Sequence, residues 1–131
     1  MSNPSAAERL KTTADALVAC CRENRTAEGL DTLYADEAIS VEAAEGPGGE
    51  PRETAGLDGI RGKHEWWDGA MEVHDFSVDG PFLHGDDRFG VIFEMDVTDK
   101  AAGHRMQMKE LGVYTVNGEG RIVREEFFYT N

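Results

Sequence analysis

Positive charge is scarce in this chain: 13 lysines and arginines stand against 26 aspartates and glutamates, for a formal charge of −13. Binding to nucleic acid needs a basic patch that displaces counterions, so that function class is not expected. Long apolar runs are missing too, and nothing approaches a membrane span. The start, Met1-Ser2-Asn3-Pro4-Ser5, leads into a charged amphipathic stretch with no apolar segment of signal-peptide length, so a cytoplasmic address is expected. Cysteine is limited to Cys20 and Cys21. As helix neighbours they point in different directions and cannot form an ordinary disulfide, and they read as small buried side chains. The four histidines, His64, His74, His84 and His104, have no short metal-ligand spacing. Phosphate loops, Ser or Cys nucleophile motifs and dinucleotide fingerprints are absent, so neither a metal nor a cofactor is expected.

What remains is a pattern of amphipathic elements in a chain of 131 residues, the size of one domain. Leu10, Ala14, Leu17, Val18 and Cys21 recur at helical spacing and predict a helix over residues 5–24 with Ser5 as N-cap. A short helix over 27–34 follows. Ile39, Val41 and Ala43 then alternate with Ser40, Glu42 and Ala44 as a strand that ends at the Gly- and Pro-rich loop 46–51. Ile60, His64, Trp67 and Met71 share one face of a third helix over 57–71. Strands follow over 73–78, 88–97, 104–116 and 121–129. Helices followed by an antiparallel meander make an α+β layout.

Two glutamates interrupt an otherwise apolar sheet face. Around the turn Asn117-Gly118-Glu119-Gly120, one side carries Met106, Met108, Glu110, Gly112 and Tyr114, opposite Val123, Glu125, Phe127 and Tyr129. With Val116 facing Arg121, Gly112 faces Glu125 and Glu110 faces Phe127, which makes the two carboxylates diagonal neighbours roughly 5 to 8 Å apart. Phe89, Val91, Phe93, Met95 and Val97 continue the same dry face, while Leu111, Val113, Ile92, Phe128 and Ile122 fall on the opposite one. A curved sheet that helices cover only in part leaves a cone-shaped cavity. A half-apolar outer face of that extent predicts a homodimer through the sheet.

The segments Leu33-Tyr34-Ala35-Asp36-Glu37-Ala38, Gly49-Glu50-Pro51-Arg52, residues 59–67 and the closing meander through residues 120–129 together resemble the nuclear transport factor 2-like superfamily. Within it the chain looks most like the SnoaL-like polyketide cyclases and ketosteroid isomerases. The resemblance implies residues 1–131 as one SnoaL-like domain: a cone-shaped, curved antiparallel sheet of cystatin-like type, covered by three helices and enclosing a pocket. It also implies pairing through the sheet. The fold hosts isomerases, dehydratases, cyclases and plain binding modules, so it does not name a reaction. The isomerases' oxyanion-holding tyrosine, aspartate base and protonated aspartic acid match Val18, Ala43 and Gly112 here, none of which moves a proton or donates a side-chain hydrogen bond. Steroid isomerisation by that mechanism is therefore rejected.

The expected function is binding of a small, largely hydrophobic molecule in an internal pocket, with cofactor-independent proton transfer of the cyclase, isomerase or dehydratase type as the candidate chemistry. Glu110, Glu125 and His64 are the candidate catalytic groups, because desolvation and a like-charged neighbour both raise a carboxylate's pKa toward neutrality. Trp67, Tyr114, Tyr129, Phe127, Phe93, Met95, Met108, Val18 and Ala43 are the candidate ligand-binding residues, with Trp66 packing against the sheet edge or a partner chain. The alternatives are a buried His–Glu pair that only satisfies itself and a non-catalytic binding or dimerisation module.

Overall fold

A computed structural model of the chain describes residues 4–46 and 48–129. Helix α1, Ala6–Arg22, begins at a reciprocal cap: Ser5 Oγ accepts from the Glu8 N–H at 3.1 Å, and Glu8 Oε1 accepts from the Ser5 N–H at 3.3 Å. Its Leu10, Ala14, Leu17 and Val18 are buried, the face that the spacing predicts. After it come α2 (Thr26–Leu33), β1 (Tyr34–Val41), β2 (Glu53–Ala55), α3 (Leu57–Ala70), β3 (Met71–His84), β4 (Arg88–Asp99), β5 (His104–Val116) and β6 (Ile122–Phe128). The six strands form one curved, unclosed sheet in the order β2-β1-β6-β5-β4-β3. Every neighbouring pair is antiparallel except β1 with β6, which run parallel and are separated in the chain by β2, α3 and the β3–β5 meander. Helix α1 lies across β3 and β4, while α3 lies on β1.

The first strand departs most from the sequence pattern. It starts at Tyr34, where a helix was expected, and its phase is inverted: Ser40, fully buried, pairs with the inward Glu125, and Ile39 and Val41 take the other parity. The cause is a bulge. Tyr34 pairs with Ile122 but Ile39 with Arg124, so the residues between them have no regular partner, and local alternation cannot show such a break. Strand β2 escaped notice because three residues carry no period.

The last hairpin also pairs differently from expectation. Val116 faces Ile122, and a bulge beside it sets Tyr114 opposite Glu125 and Gly112 opposite Phe127. The turn explains the shift: Asn117 Oδ1 accepts from the N–H groups of Glu119 and Arg121 at 3.0 Å each, and Gly120 takes a φ of +82°. The same bulge turns Ile122, expected on the outer face, into a wholly buried core residue. Away from the bulge the register has slipped by two residues, which preserves the face, so Glu110 and Glu125 keep the same side.

Cross-strand rows on the inner face define two halves. Phe89, Val91, Tyr114, Val116 and Ile122 are buried with Leu10, Ala14, Leu17, Val18 and Ile60 of the helices. Further along the long strands, Val78 and Val97 stay buried, but Met95, Met108, Phe93 and Glu110 are only partly covered and Phe76 is 41 % exposed. If Ile122 belongs to the core, Ile122→Ala should cost about 2–4 kcal/mol in urea unfolding, while Phe128→Ala, on the outer face and half exposed, should cost less than about 1 kcal/mol.

Candidate functional site

The inner face holds two acidic centres instead of one. The deep centre is Glu125, 2 % exposed, whose Oε2 accepts a 2.5 Å hydrogen bond from the Tyr34 hydroxyl and which pairs in register with the buried Ser40. Burial pushes its pKa up, against the opposing pull of that hydrogen bond, of Ser40 and of the nearby His64 and Lys63 charges. Around it Tyr114 stacks on Phe89 with ring centres 4.9 Å apart and meets Phe127 edge-on at 6.3 Å. Tyr114 and Val18 are parts of this packed core, 3 % and 2 % exposed, and present almost no surface to a ligand.

The second centre is Glu110, half-buried on β5 beside Phe93 of β4. Its position is four residues before Tyr114, the partner of Glu125, so about 13 Å of strand separates the two registers and the expected diagonal contact is replaced by a spaced pair. Burial pushes Glu110 up to about 7, helped by the negative charges of Glu42 and Glu125 and opposed by Lys63. Among the described residues no side-chain hydrogen bond or ion pair reaches it. Tyr129, just past the end of β6, has its hydroxyl pKa raised by burial and by the same Glu42 and Glu110.

The charge of Lys63 acts on both centres. Its ammonium donates to Ser40 Oγ at 2.8 Å, pairs with Glu42 Oε1 at 2.5 Å and lies 5.9 Å from the centre of the Phe127 ring. Sequence reasoning missed Tyr34, Ser40, Glu42 and Lys63. The signal for Lys63 was present, since it lies three residues after the buried Ile60 and four before Trp67, on the face already assigned to the cavity. Ser40 and Glu42 were hidden by the inverted phase of β1.

The remaining candidates are dispersed. His64 is half-buried and lines a cleft of about 100 Å³ between α2 and α3 with Thr26, Ala27, Leu30, Arg61, Glu65 and Asp68; it forms no hydrogen bond with either glutamate. Met95 and Met108 pair across β4 and β5, next to Phe93. Trp67 and Ala43 are half-buried, whereas Trp66 is 60 % exposed. A groove of about 510 Å³ at the start of α3, lined by Asp36, Ala55, Gly56, Leu57, Asp58, Gly59 and Arg61, contains none of these groups. Cys20 and Cys21 are free thiols; burial first, then the charges of Cys20 and Glu125, pushes Cys21 up to about 12, which makes it a poor nucleophile. No three His, Cys, Asp or Glu side chains are grouped to hold a metal among the described residues, and no helix there is long and apolar enough to cross a membrane.

Comparison with known proteins places this geometry. The family model of the SnoaL-like domain matches residues 9–129. The chain belongs to the SnoaL-like family. A solved structure from Mesorhizobium loti, named as a candidate SnoaL-like polyketide cyclase, is 37 % identical, with 91 % of this chain and 97 % of that one covered and a TM-score of 0.83. A candidate isomerase from Bacillus subtilis shares the fold at 16 % identity, covering 97 % and 90 % of the two chains, with a TM-score of 0.74. A Mycobacterium tuberculosis protein solved in complex with estradiol-17β-hemisuccinate does so at 14 % identity, covering 97 % and 95 %, with a TM-score of 0.72. Among curated proteins no significant match is found.

The raised Glu110 has a stability consequence with a definite sign. Between about 4.5, the ordinary value, and about 7, the folded SnoaL-like chain keeps a proton that the unfolded chain has released. The contribution is therefore complete below the lower value and is lost as pH rises through the upper one. Glu110→Gln should match the parent's stability near pH 4 and exceed it at pH 8 by up to about 3 kcal/mol, less what solvent screens at this half-open site, measured by urea unfolding at both pH values.

Proposed function

We propose that this protein binds a small, largely hydrophobic molecule on the partly covered half of its inner sheet face, and that Glu110 exchanges a proton with it. The observation that carries this reading is a carboxyl without a side-chain partner, poised near neutrality, at the edge of the Phe76–Met95–Met108 and Val78–Phe93 rows. A group titrating near the working pH is populated in both forms, so it can take a proton as base and return it as acid with no cofactor. Chemistry of the cyclase, isomerase or dehydratase type needs that and little more. Phe93, Met95 and Met108 form the floor for the apolar body, while Phe127, Tyr129 and Trp67 border it. Glu125, held by Tyr34, acts from behind, as a charge that raises Glu110. His64 acts on Glu125 in the opposite sense, its positive charge favouring the ionised carboxylate.

The names of the similar structures, a cyclase, an isomerase and a steroid complex, support small-molecule binding as the use of this fold. The test is a neutral solvatochromic dye such as Nile red. The parent should bind it with a blue-shifted, enhanced emission, and Met108→Asp should weaken binding about tenfold or more by placing a charge on the apolar floor. No enhancement with the parent would remove the reading.

The outer face carries a second expectation. Ile92, Leu111 and Phe128 form one cross-strand row on β4, β5 and β6, with Leu111 39 % and Phe128 46 % exposed. We propose that a second copy of this single-domain chain covers that row, in a cytoplasmic setting where two free thiols stay reduced. Light scattering at micromolar concentration should give twice the chain mass of 14.4 kDa, and Leu111→Glu should return it to the monomer.

A further inference from the structure

The charges around the site discriminate between ligand head groups, and this deepens the binding reading above and rests on it. Glu42 and Glu125 both act on Glu110 here, and Lys63, in contact with Glu42 and Ser40, is the cation that opposes them. That ammonium is already committed: one N–H faces Ser40 Oγ and another Glu42 Oε1. The other cations near the inner face are also engaged. Arg22 donates two hydrogen bonds to the Val78 carbonyl at the β3 edge, Arg52 donates one to the Glu42 carbonyl, and Arg61 pairs with Asp31. Tyr129 adds a hydroxyl beside Glu42 and Glu110, and His64 faces the α2–α3 cleft. An arriving carboxylate would thus meet Glu110 across a partly dry surface where Lys63, the cation that acts on Glu110, is already paired with Glu42. An uncharged hydroxyl or carbonyl would find Glu110 and the remaining Lys63 N–H as partners.

We propose that the site takes apolar molecules whose polar head carries no negative charge, and rejects the same molecules as carboxylates. Glu42 and Glu110 supply the repulsion, and apolar contact supplies the affinity.

The experiment uses the full chain and three probes with one ten-carbon tail: decanol, decylammonium and decanoate, titrated separately by displacement of Nile red at pH 8 in 0.15 M salt. Decanol and decylammonium are expected to bind at least about tenfold more tightly than decanoate. Comparison of the two ions removes the greater hydrophobicity of the alcohol. Glu110→Gln should narrow the gap between those ions about threefold or more, whereas long-range attraction to a chain of charge −13 would barely change on losing one charge. Glu42→Gln, which frees Lys63, should narrow it further. Decanoate binding as tightly as decylammonium, or a gap insensitive to both variants, overturns the charge rule and leaves the binding reading intact. Failure of Nile red and all three probes to bind the parent overturns both.

Discussion

One buried carboxyl organises this molecule. Glu125 is 2 % exposed, receives the Tyr34 hydroxyl at one oxygen and has Ser40 as its register partner on β1. Leaving such a group without partners inside the core would cost several kcal/mol, so both partners must arrive at the same point. They come from one strand, six residues apart, yet the paired positions on β6 are only three residues apart, Ile122 and Glu125. The bulge between Tyr34 and Ile39 absorbs the difference. The parallel join of β1 to the meander is thereby pinned by a polar contact as well as by backbone pairing. Ser40 then hands the connection to Lys63 on α3, which fastens a helix to the same network.

The coverage of the sheet follows from lengths. Strands β3, β4 and β5 have 14, 12 and 13 residues, whereas α2 has only 8 and α3 has 14. At about 3.3 Å per strand residue against about 1.5 Å per helix residue, the strands outrun the helices about two to one. Apolar side chains under α1 become core, and Phe93, Met95, Met108 and Phe76 beyond it become a floor open at one side. Glu110 lies at that boundary, where burial is enough to raise its pKa and exposure enough to let a partner reach it.

Local pattern and global register contributed differently to what was legible in the sequence. Helix α1 was readable to within two residues, because Leu10, Ala14, Leu17 and Val18 share a period and Ser5 caps it. The inward phase of β4 and β5 was equally readable, from five alternating apolar residues beginning at Phe89. Pairing between strands was not. Whether Tyr114 or Gly112 faces Glu125 depends on a bulge selected by the Asn117 side chain and Gly120, and two bulges, one in β1 and one near Ile122, each displaced an assignment. Hence Glu110 and Glu125 could be assigned to one face correctly and to one contact incorrectly. The family resemblance supplied the fold, and the family model covering residues 9–129 agrees with it.

Gly112 shows what the packing permits. A β-carbon there would lie 3.0 Å from Tyr114, 3.3 Å from Phe127 and 3.3 Å from Phe93, so three aromatic rings occupy the room that a side chain would need. In the ketosteroid isomerases that this chain resembles, the matching position holds an acid. Any side chain there would have to displace those rings by a few tenths of an ångström or more. The three rings thus set the size of the residue that this position accepts, and the room for an added polar group lies at the open rim instead.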